Sequence, residues 1–233
     1  MPIERFFLSE SLLNKKVIHF DQKESHHLKV MRMREGETIE IINGQGEIAQ
    51  ATLEDFSKAQ VTASLSHIRK EQPLSPPLTI IQGLTRQNHL DFLIEKGTEL
   101  GVTSFFLFIA DRSEKKSITP SLIQRLKNIS IASIKQCGSL YLPDIQIFPS
   151  IHQLTTLIGD PYFGDLRPHT PPFSTHLRKD HPLSFFIGPE KGFSDSEIYH
   201  LETQIHAKGV SLHLHTLRAE TVVTTVATLF RHI

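Results

Sequence analysis

The chain has 233 residues, with 25 basic and 25 acidic side chains and one cysteine. This length is enough for one large domain or two ordinary ones. A formal net charge of zero argues against a polycation that binds nucleic acid by charge alone, although a local basic face is compatible with it. One cysteine excludes an internal disulfide and a cysteine-rich zinc site. The sequence shows neither a signal peptide nor an apolar run of membrane-spanning length, so we expect a cytoplasmic protein without membrane contact.

Residues 1–71 are predicted to form a small, mostly β domain. One helix is expected, capped by Asp21 and ended by Gly36. Alternating apolar residues and an Asn43-Gly44 turn signal predict the strands, which lie at 17–20, 38–42, 47–53 and 61–68. We expect the helix to present a basic face suited to RNA, made by His26, His27, Lys29, Arg32 and Arg34.

Three prolines make the segment 72–77 the clearest linker, because proline continues neither a helix nor a central strand. From residue 78 to 233 strands alternate with helices, which is typical of an α/β domain with a mainly parallel sheet. The strands are predicted at 78–84, 102–110, 145–148, 183–187 and 210–214. Four prolines and several polar residues indicate an exposed loop at 165–182.

The segment SFFIGPEKGF, residues 184–193, is a strand that breaks into a glycine-rich loop and then a helix. Ser194 and Glu197 have the spacing of a capping box at the start of that helix. Glycines let the backbone approach a ligand, and ligands of α/β sheets bind beyond the carboxyl ends of the strands. A tight turn without a ligand explains these residue types equally well. The segment has no P-loop, dinucleotide fingerprint or nucleophile elbow.

A second strand-to-helix transition follows at Ser211–Thr221. Arg218 and Glu220 form a polar insertion ahead of an apolar helix, and charges so placed cap a helix or line a site. His213 and His215 are expected to share one face of a strand. We predict no metal site there, since no acidic or cysteine partner stands at ligand spacing. Cys137 is expected to be a small buried hydrophobe.

The segments IGPEKGFSDSEI and LHLHTLRAET together resemble the SPOUT-class methyltransferases, specifically the RsmE family. Further matches cover essentially the whole chain in order: His27-Leu28-x-Val30-x-Arg32 with Gly36, Glu95-Lys96-x-x-Glu99-Leu100-Gly101-Val102, and Gln136-Cys137-Gly138. The resemblance implies a PUA-like N-terminal β-barrel domain and a C-terminal SPOUT α/β domain with a deep trefoil knot. It also implies a homodimer that binds S-adenosylmethionine and methylates N3 of a uridine in 16S RNA of the small ribosomal subunit.

The resemblance also implies roles for individual residues. The family's cofactor loops match Ile187, Gly188, Glu190, Gly192, Leu212, Leu217 and Arg218. As a mechanism, we predict that Arg218 stabilises developing charge and that Glu220 or Glu190 accepts the N3 proton. The residues predicted to contact RNA are His27, Lys29, Arg32, Arg34, Arg86 and Arg112, the last within a cluster that extends to Lys116.

Four positions depart from the family pattern. Lys191 and His213 replace glycines, Ser139 stands where an arginine is frequent, and Val222 replaces an alanine. Lys191 and His213 leave open an RNA-binding ribosome assembly factor whose cofactor binding is weak or lost. Another alternative is a methyltransferase that acts on transfer RNA or on a different ribosomal RNA site.

Overall fold

The computed structural model describes residues 4–56, 60–114, 117–154, 157 and 159–232. It divides into two compact units, one made of Met1–Pro73 with Ile134–Leu142 and the other of Leu74–Ser133 with Pro143–Ile233. The predicted domains, 1–71 and 78–233 with a linker at 72–77, are segments expected to fold on their own. These bounds stay a prediction, because compactness does not test independent folding. Lys115 and Lys116 of the predicted basic cluster lie outside the described residues.

The first unit contains a mixed five-stranded sheet and one α-helix. Its elements are β1 (Arg5–Phe7), β2 (Val17–His19), α1 (Gln22–Val30), β3 (Thr38–Ile42), β4 (Glu47–Asp55) and β5 (Thr62–Lys70). The strand order is β1-β3-β4-β5-β2, with β1 parallel to β3 and the other neighbours antiparallel. Phe6, Phe20 and Leu28 are fully buried in its core. The predicted small, mostly β domain with one helix is confirmed.

Helix α1 begins as predicted but ends earlier. The Asp21 carboxylate accepts a hydrogen bond from the Glu24 amide at 2.7 Å and caps the first turn. The helix ends at Val30 and not at Gly36, because Arg32 adopts a left-handed conformation with φ of 59°. The Met33 amide then donates to the Leu28 carbonyl, which closes the last turn. Arg32 and Arg34 therefore lie in the turn after the helix.

The second unit contains a six-stranded sheet in which every pair of neighbours is parallel. Its strands are β6 (Leu78–Gly83), β7 (Ser104–Phe108), β8 (Asp144–Phe148), β9 (Asp160–Gly164), β10 (Leu183–Ile187) and β11 (Lys208–Val210), in the order β11-β9-β10-β6-β7-β8. Its helices are α2 (Gln87–Glu99), α3 (Pro120–Cys137) as far as Ser133, α4 (Asp195–Thr203) and α5 (Ala219–His232). The α/β prediction is confirmed, and the knot stays a prediction.

Apolar cores cover both faces of this sheet. Ile80 and Phe185 pack on the face that α2, α3 and α5 cover, whereas Ile81 and Phe186 pack on the opposite face with Leu201 of α4. Every residue of β6 and of β10 is buried. This pattern explains why the central strands read as continuous apolar runs and not as alternating ones.

Three predictions in this part of the chain were wrong. Strand β9 was missed, because it starts with Asp160-Pro161 and ends in a glycine. Strand β11 ends at Val210, so residues 211–218 form a loop. The segment 165–182 is not simply exposed, since it contains a short 3-10 helix that buries Phe173.

Cys137 was predicted to be buried, but it is exposed at the end of α3. Ile134 and Leu140, which belong to the first unit, pack there against Ile42 and Ile48. Among the described residues, no helix is long and apolar enough to cross a membrane.

The guanidinium of Arg231 joins three segments of the second unit. It donates from Nη2 to the Gly101 carbonyl at 2.7 Å and from Nη1 to the Pro76 carbonyl at 2.8 Å. Gly101, with φ of 79°, follows the end of α2, and Pro76 precedes β6. Burial lowers the pKa of Arg231 from its ordinary value.

We expect Arg231→Met to lower the free energy of unfolding by about 3 kcal/mol, because two carbonyls lose a charged donor. Arg231→Lys should recover part of this loss, since an ammonium cannot reproduce the planar fork of a guanidinium. The measurement is urea denaturation, with exposed Arg69→Met as the control. Equal stability of Arg231→Met and the wild-type protein would contradict the role of these hydrogen bonds.

Candidate functional site

A cavity of about 790 Å³ lies at the carboxyl edge of the sheet in the second unit. Its walls are the loops that follow β9, β10 and β11, completed by residues of α2 and α5. These three strands are parallel neighbours, so their carboxyl ends meet at one edge. This is the position at which open α/β sheets bind ligands.

The cavity brings together the two transitions that the sequence singled out. All of the residues matched to the family's cofactor loops line it, and so does Glu220: the set is Ile187, Gly188, Glu190, Gly192, Leu212, Leu217, Arg218 and Glu220. The two segments are joined here although α4 and β11 separate them along the chain.

The loop 188–192 is folded tightly on itself and on β6. A Cβ atom at Gly188 would lie 3.1 Å from the Gly192 carbonyl carbon and from the Phe193 nitrogen. The fully buried Gln82 donates from Nε2 to the Gly188 carbonyl at 3.1 Å. Gly192 has φ of 69°, a conformation that L side chains rarely adopt. Each glycine is therefore needed for a different reason.

Glu190 turns back from this loop to the start of α2. Its Oε1 accepts a hydrogen bond from the Arg86 amide at 2.9 Å. Arg86 is the N-cap residue of α2 and provides no side-chain cap of its own. A carboxylate at this position satisfies a free amide and interacts favourably with the helix dipole. Glu190 thus caps α2 across the loop.

The other end of the loop is fixed by the predicted capping box, which is confirmed. The Ser194 hydroxyl accepts from the Glu197 amide at 3.1 Å, and Glu197 Oε2 accepts from the Ser194 amide at 2.8 Å. Glu197, which is 1 % exposed, also accepts from the Asp111 amide through Oε1 at 3.0 Å. The start of α4 is therefore held to the segment that follows β7.

Lys191 directs its charge toward a carboxylate. Its Nζ lies 3.8 Å from Glu114 Oε1, and Glu114 also accepts a hydrogen bond from Arg86 Nε at 3.3 Å. The hydrogen bond from Arg86 is the main reason that the pKa of Glu114 is lowered, with Lys191 contributing less. The backbone of Lys191 lies outside the left-handed region. Glycine is therefore not required at this position.

The loop 211–218 leads into α5. The Arg218 carbonyl accepts from the Thr221 and Val222 amides and starts the helix, while its side chain is exposed. The prediction that His213 and His215 share a strand face was wrong. His213 Nδ1 instead accepts from the His215 amide at 3.0 Å within this loop. In the described part of the chain, no group of three or more His, Cys, Asp or Glu side chains is placed to hold a metal ion.

Two contributions to the cavity wall were missed. Arg167 donates four hydrogen bonds to Asp165, one from its amide and three from its guanidinium, and one to Glu202 of α4. Its guanidinium also lies over the Phe163 ring. Burial raises the pKa of Asp165, but the hydrogen bonds from Arg167 outweigh it and hold that pKa below its usual value. In the sequence, the pattern Asp-x-Arg directly after an apolar run was the signal that could have identified Arg167.

The second missed residue is His89, in the first turn of α2. Its Nδ1 lies 3.4 Å from Glu190 Oε1 and 4.0 Å from Glu220 Oε2. A single histidine on a polar helix face has no distinguishing pattern in the sequence. Only the packing of α2 against α5 shows that it lies beside two carboxylates.

The residues predicted to contact RNA are divided between the units. His27, Lys29, Arg32 and Arg34 are exposed in the first unit. In the second unit, Arg86 pairs with Glu114, and Arg112 borders the cavity and donates to the Lys191 carbonyl at 3.5 Å.

Comparison with known families gives two matches. Residues 70–231 match the model of an RNA methyltransferase domain, and residues 20–66 match that of an RNA methyltransferase PUA domain. A similar protein of Rickettsia conorii, named ribosomal RNA small subunit methyltransferase E, is 25% identical over 97% of this chain and 93% of its own. A protein of the same name from Bacillus subtilis is 28% identical over 78% of this chain and 77% of its own.

Solved structures share the fold over nearly the whole chain. A ribosomal RNA small subunit methyltransferase E of Neisseria gonorrhoeae, bound to S-adenosyl methionine, has a TM-score of 0.86 with 24% identity over 97% of this chain and 95% of its own. A putative methyltransferase of Legionella pneumophila, solved with the same cofactor, has a TM-score of 0.90 with 21% identity over 99% and 98%. The model match over residues 70–231 is in line with the resemblance seen in the sequence, and the chain belongs to the RNA methyltransferase family.

Proposed function

We propose that this chain transfers a methyl group from S-adenosylmethionine to N3 of a uridine in the 16S RNA of the small ribosomal subunit. The observation that carries the proposal is the meeting of the loops 188–192 and 211–218 in one cavity. Family membership and the names of the full-length relatives support the reaction and the substrate.

The residues around the cavity fit such a cofactor. A volume of about 790 Å³ falls within the usual range of small-molecule sites. Ile187, Leu212 and Leu217 provide apolar walls, and Gly188 lets the loop fold so closely that a Cβ there would lie 3.1 Å from the backbone of Gly192 and Phe193. When bound, the cofactor supplies an electrophilic methyl group. Ile187, Gly188, Glu190, Gly192, Leu212, Leu217 and Arg218 are the residues proposed to hold it.

Methylation at N3 requires that the imide proton leaves, so a base must lie within hydrogen-bond reach. Glu190 is already engaged with the Arg86 amide. Glu220, in the first turn of α5, accepts no hydrogen bond from the described residues, and its side chain is 15% exposed. We assign proton removal to Glu220 and the positioning of the loop to Glu190.

Arg218 is assigned to the charge that develops on the uracil carbonyl oxygens. Its exposed guanidinium borders the same cavity as Glu220. A cation placed beside developing negative charge in a preformed site lowers the barrier more than it would in water. Arg218 and Glu220 are close in sequence, so the start of α5 carries both groups.

The partners follow from the same assignment. The exposed basic residues of the first unit, with Arg86 and Arg112 of the second, are proposed to contact RNA phosphates. We also propose a cytoplasmic homodimer. Leu166 and Leu214 lie on loops that border the cavity and are 74% and 96% exposed in the single chain. Large apolar side chains that a second chain covers in a dimer show such exposure when one chain is considered alone.

The first test uses small ribosomal subunits that lack the modification. The wild-type protein should bind S-adenosylmethionine and methylate uridine N3, and Arg218→Ala should lower kcat by roughly 100-fold or more. Arg178→Ala, on an exposed turn, is the control. Mapping of the modified nucleoside identifies the product. Full turnover by Arg218→Ala would overturn its role. If the protein does not bind the cofactor at millimolar concentration, the result would favour an RNA-binding assembly factor. If transfer RNA is methylated instead, the result would favour the alternative substrate.

Gly188→Ala should weaken S-adenosylmethionine binding by at least about tenfold, because the new Cβ forces apart a loop whose atoms lie 3.1 Å away. Lys191→Gly is the matched change in the same loop and should leave affinity within about threefold, since the lysine charge faces Glu114. Isothermal titration measures both. Unchanged affinity of Gly188→Ala would show that the loop does not hold the cofactor.

RNA affinity should fall as salt rises, because phosphate contacts release counterions. Replacing Arg34 with Gln should reduce the slope of log affinity against log salt by about one, whatever the RNA sequence. Arg69→Gln is the control, since that guanidinium pairs with Glu71. Fluorescence anisotropy at several salt concentrations gives the slopes, and binding independent of salt would contradict a basic RNA surface.

A further inference from the structure

His89 lies between two carboxylates of the cavity wall that come from different elements. Glu190 follows β10, Glu220 starts α5, and His89 belongs to α2. The side chain of His89 is 24% exposed, that of Glu190 28% and that of Glu220 15%. The Nδ1 atom of His89 is itself shielded from solvent and has no hydrogen-bond partner among the described residues. This nitrogen lies 3.4 Å from Glu190 Oε1 and 4.0 Å from Glu220 Oε2.

The two carboxylates are not equivalent. Glu190 is fixed by the Arg86 amide at 2.9 Å, whereas Glu220 has only His89 within 4.0 Å among the described charged groups. Glu220 is also the group assigned above to remove the proton. A carboxylate without a fixed partner samples several rotamers, and misplacement of a base by about 1 Å costs on the order of 100-fold in rate.

We propose that His89 is a positioning residue for Glu220: a small rotation of the Glu220 side chain brings Oε2, 4.0 Å away, within hydrogen-bond reach of a donor on Nδ1. The anchored Glu190 carboxylate lies 3.4 Å from the same nitrogen and limits how far the ring can move. In the reaction the N3 proton would move to the Glu220 carboxylate, and the electron pair of the N–H bond would form the bond to the methyl group. The bond between sulfur and that methyl group would break, with its electron pair staying on sulfur, so that S-adenosylhomocysteine leaves. This inference rests on the proposed function.

The test compares two replacements that differ in a single property. His89→Leu fills similar space without a donor, and His89→Asn places an amide N–H close to the position of Nδ1. With saturating cofactor and unmodified ribosomal subunits, His89→Leu should lower the single-turnover rate by about 10- to 100-fold with little change in KM. His89→Asn should recover most of the rate. His232→Leu, at the exposed end of α5, is the control.

A double-mutant cycle with Glu220→Gln identifies the partner through which His89 acts. If His89 works through Glu220, His89→Leu should cause no further loss when Glu220→Gln is already present. Additive losses would overturn the inference, as would full activity of His89→Leu or equal losses for Leu and Asn. Thermal unfolding and cofactor titration of each variant show whether the fold and the cofactor site persist. If the wild-type protein itself methylates nothing, the proposed function fails first and this inference falls with it.

Discussion

Two hydrogen bonds hold the loop 188–192 against the junction of β6 and α2, and the cavity depends on them. Gln82 holds the Gly188 carbonyl, and the Arg86 amide holds the Glu190 carboxylate. Both donors come from a segment about a hundred residues earlier in the chain, which the parallel pairing of β6 with β10 brings alongside. Because Ile187 pairs with Gln82, a shift of one residue in that register would remove both contacts.

Although the chain has no net charge, the acidic and basic side chains of the site are separated from each other. Glu190 and Glu220 face the histidine of α2, while Lys191 and Arg86 are turned toward Glu114. An exposed pair such as Lys191 with Glu114 contributes little to stability. Its importance lies in where it directs the lysine charge, which is toward Glu114, although Lys191 also lines the cavity.

The sequence predicted the parts of this site that local patterns reveal. Glycines between a strand and a capping box identified the loop at 188, and Arg218 with Glu220 ahead of an apolar helix identified the second wall. It did not reveal His89, because a histidine on a helix carries no mark of what the helix packs against. Strand β9 was lost because proline is rare inside strands. The end of α1 was misplaced because an arginine, Arg32, takes the left-handed position that glycine usually fills.

The order of the strands in the sheet has a consequence for synthesis on the ribosome. Most residues of the cavity wall come after residue 162 in the sequence. In the sheet, β10 and β11 lie on the β6 side of the strands β6, β7 and β8, which are made earlier. Contacts between segments so distant in sequence form slowly, since a long loop must close first. A nascent chain that has completed α3 thus exposes the unpaired edge of β6, with its Ile80 and Ile81, until β10 arrives. During that interval the strand is open to pairing with other chains.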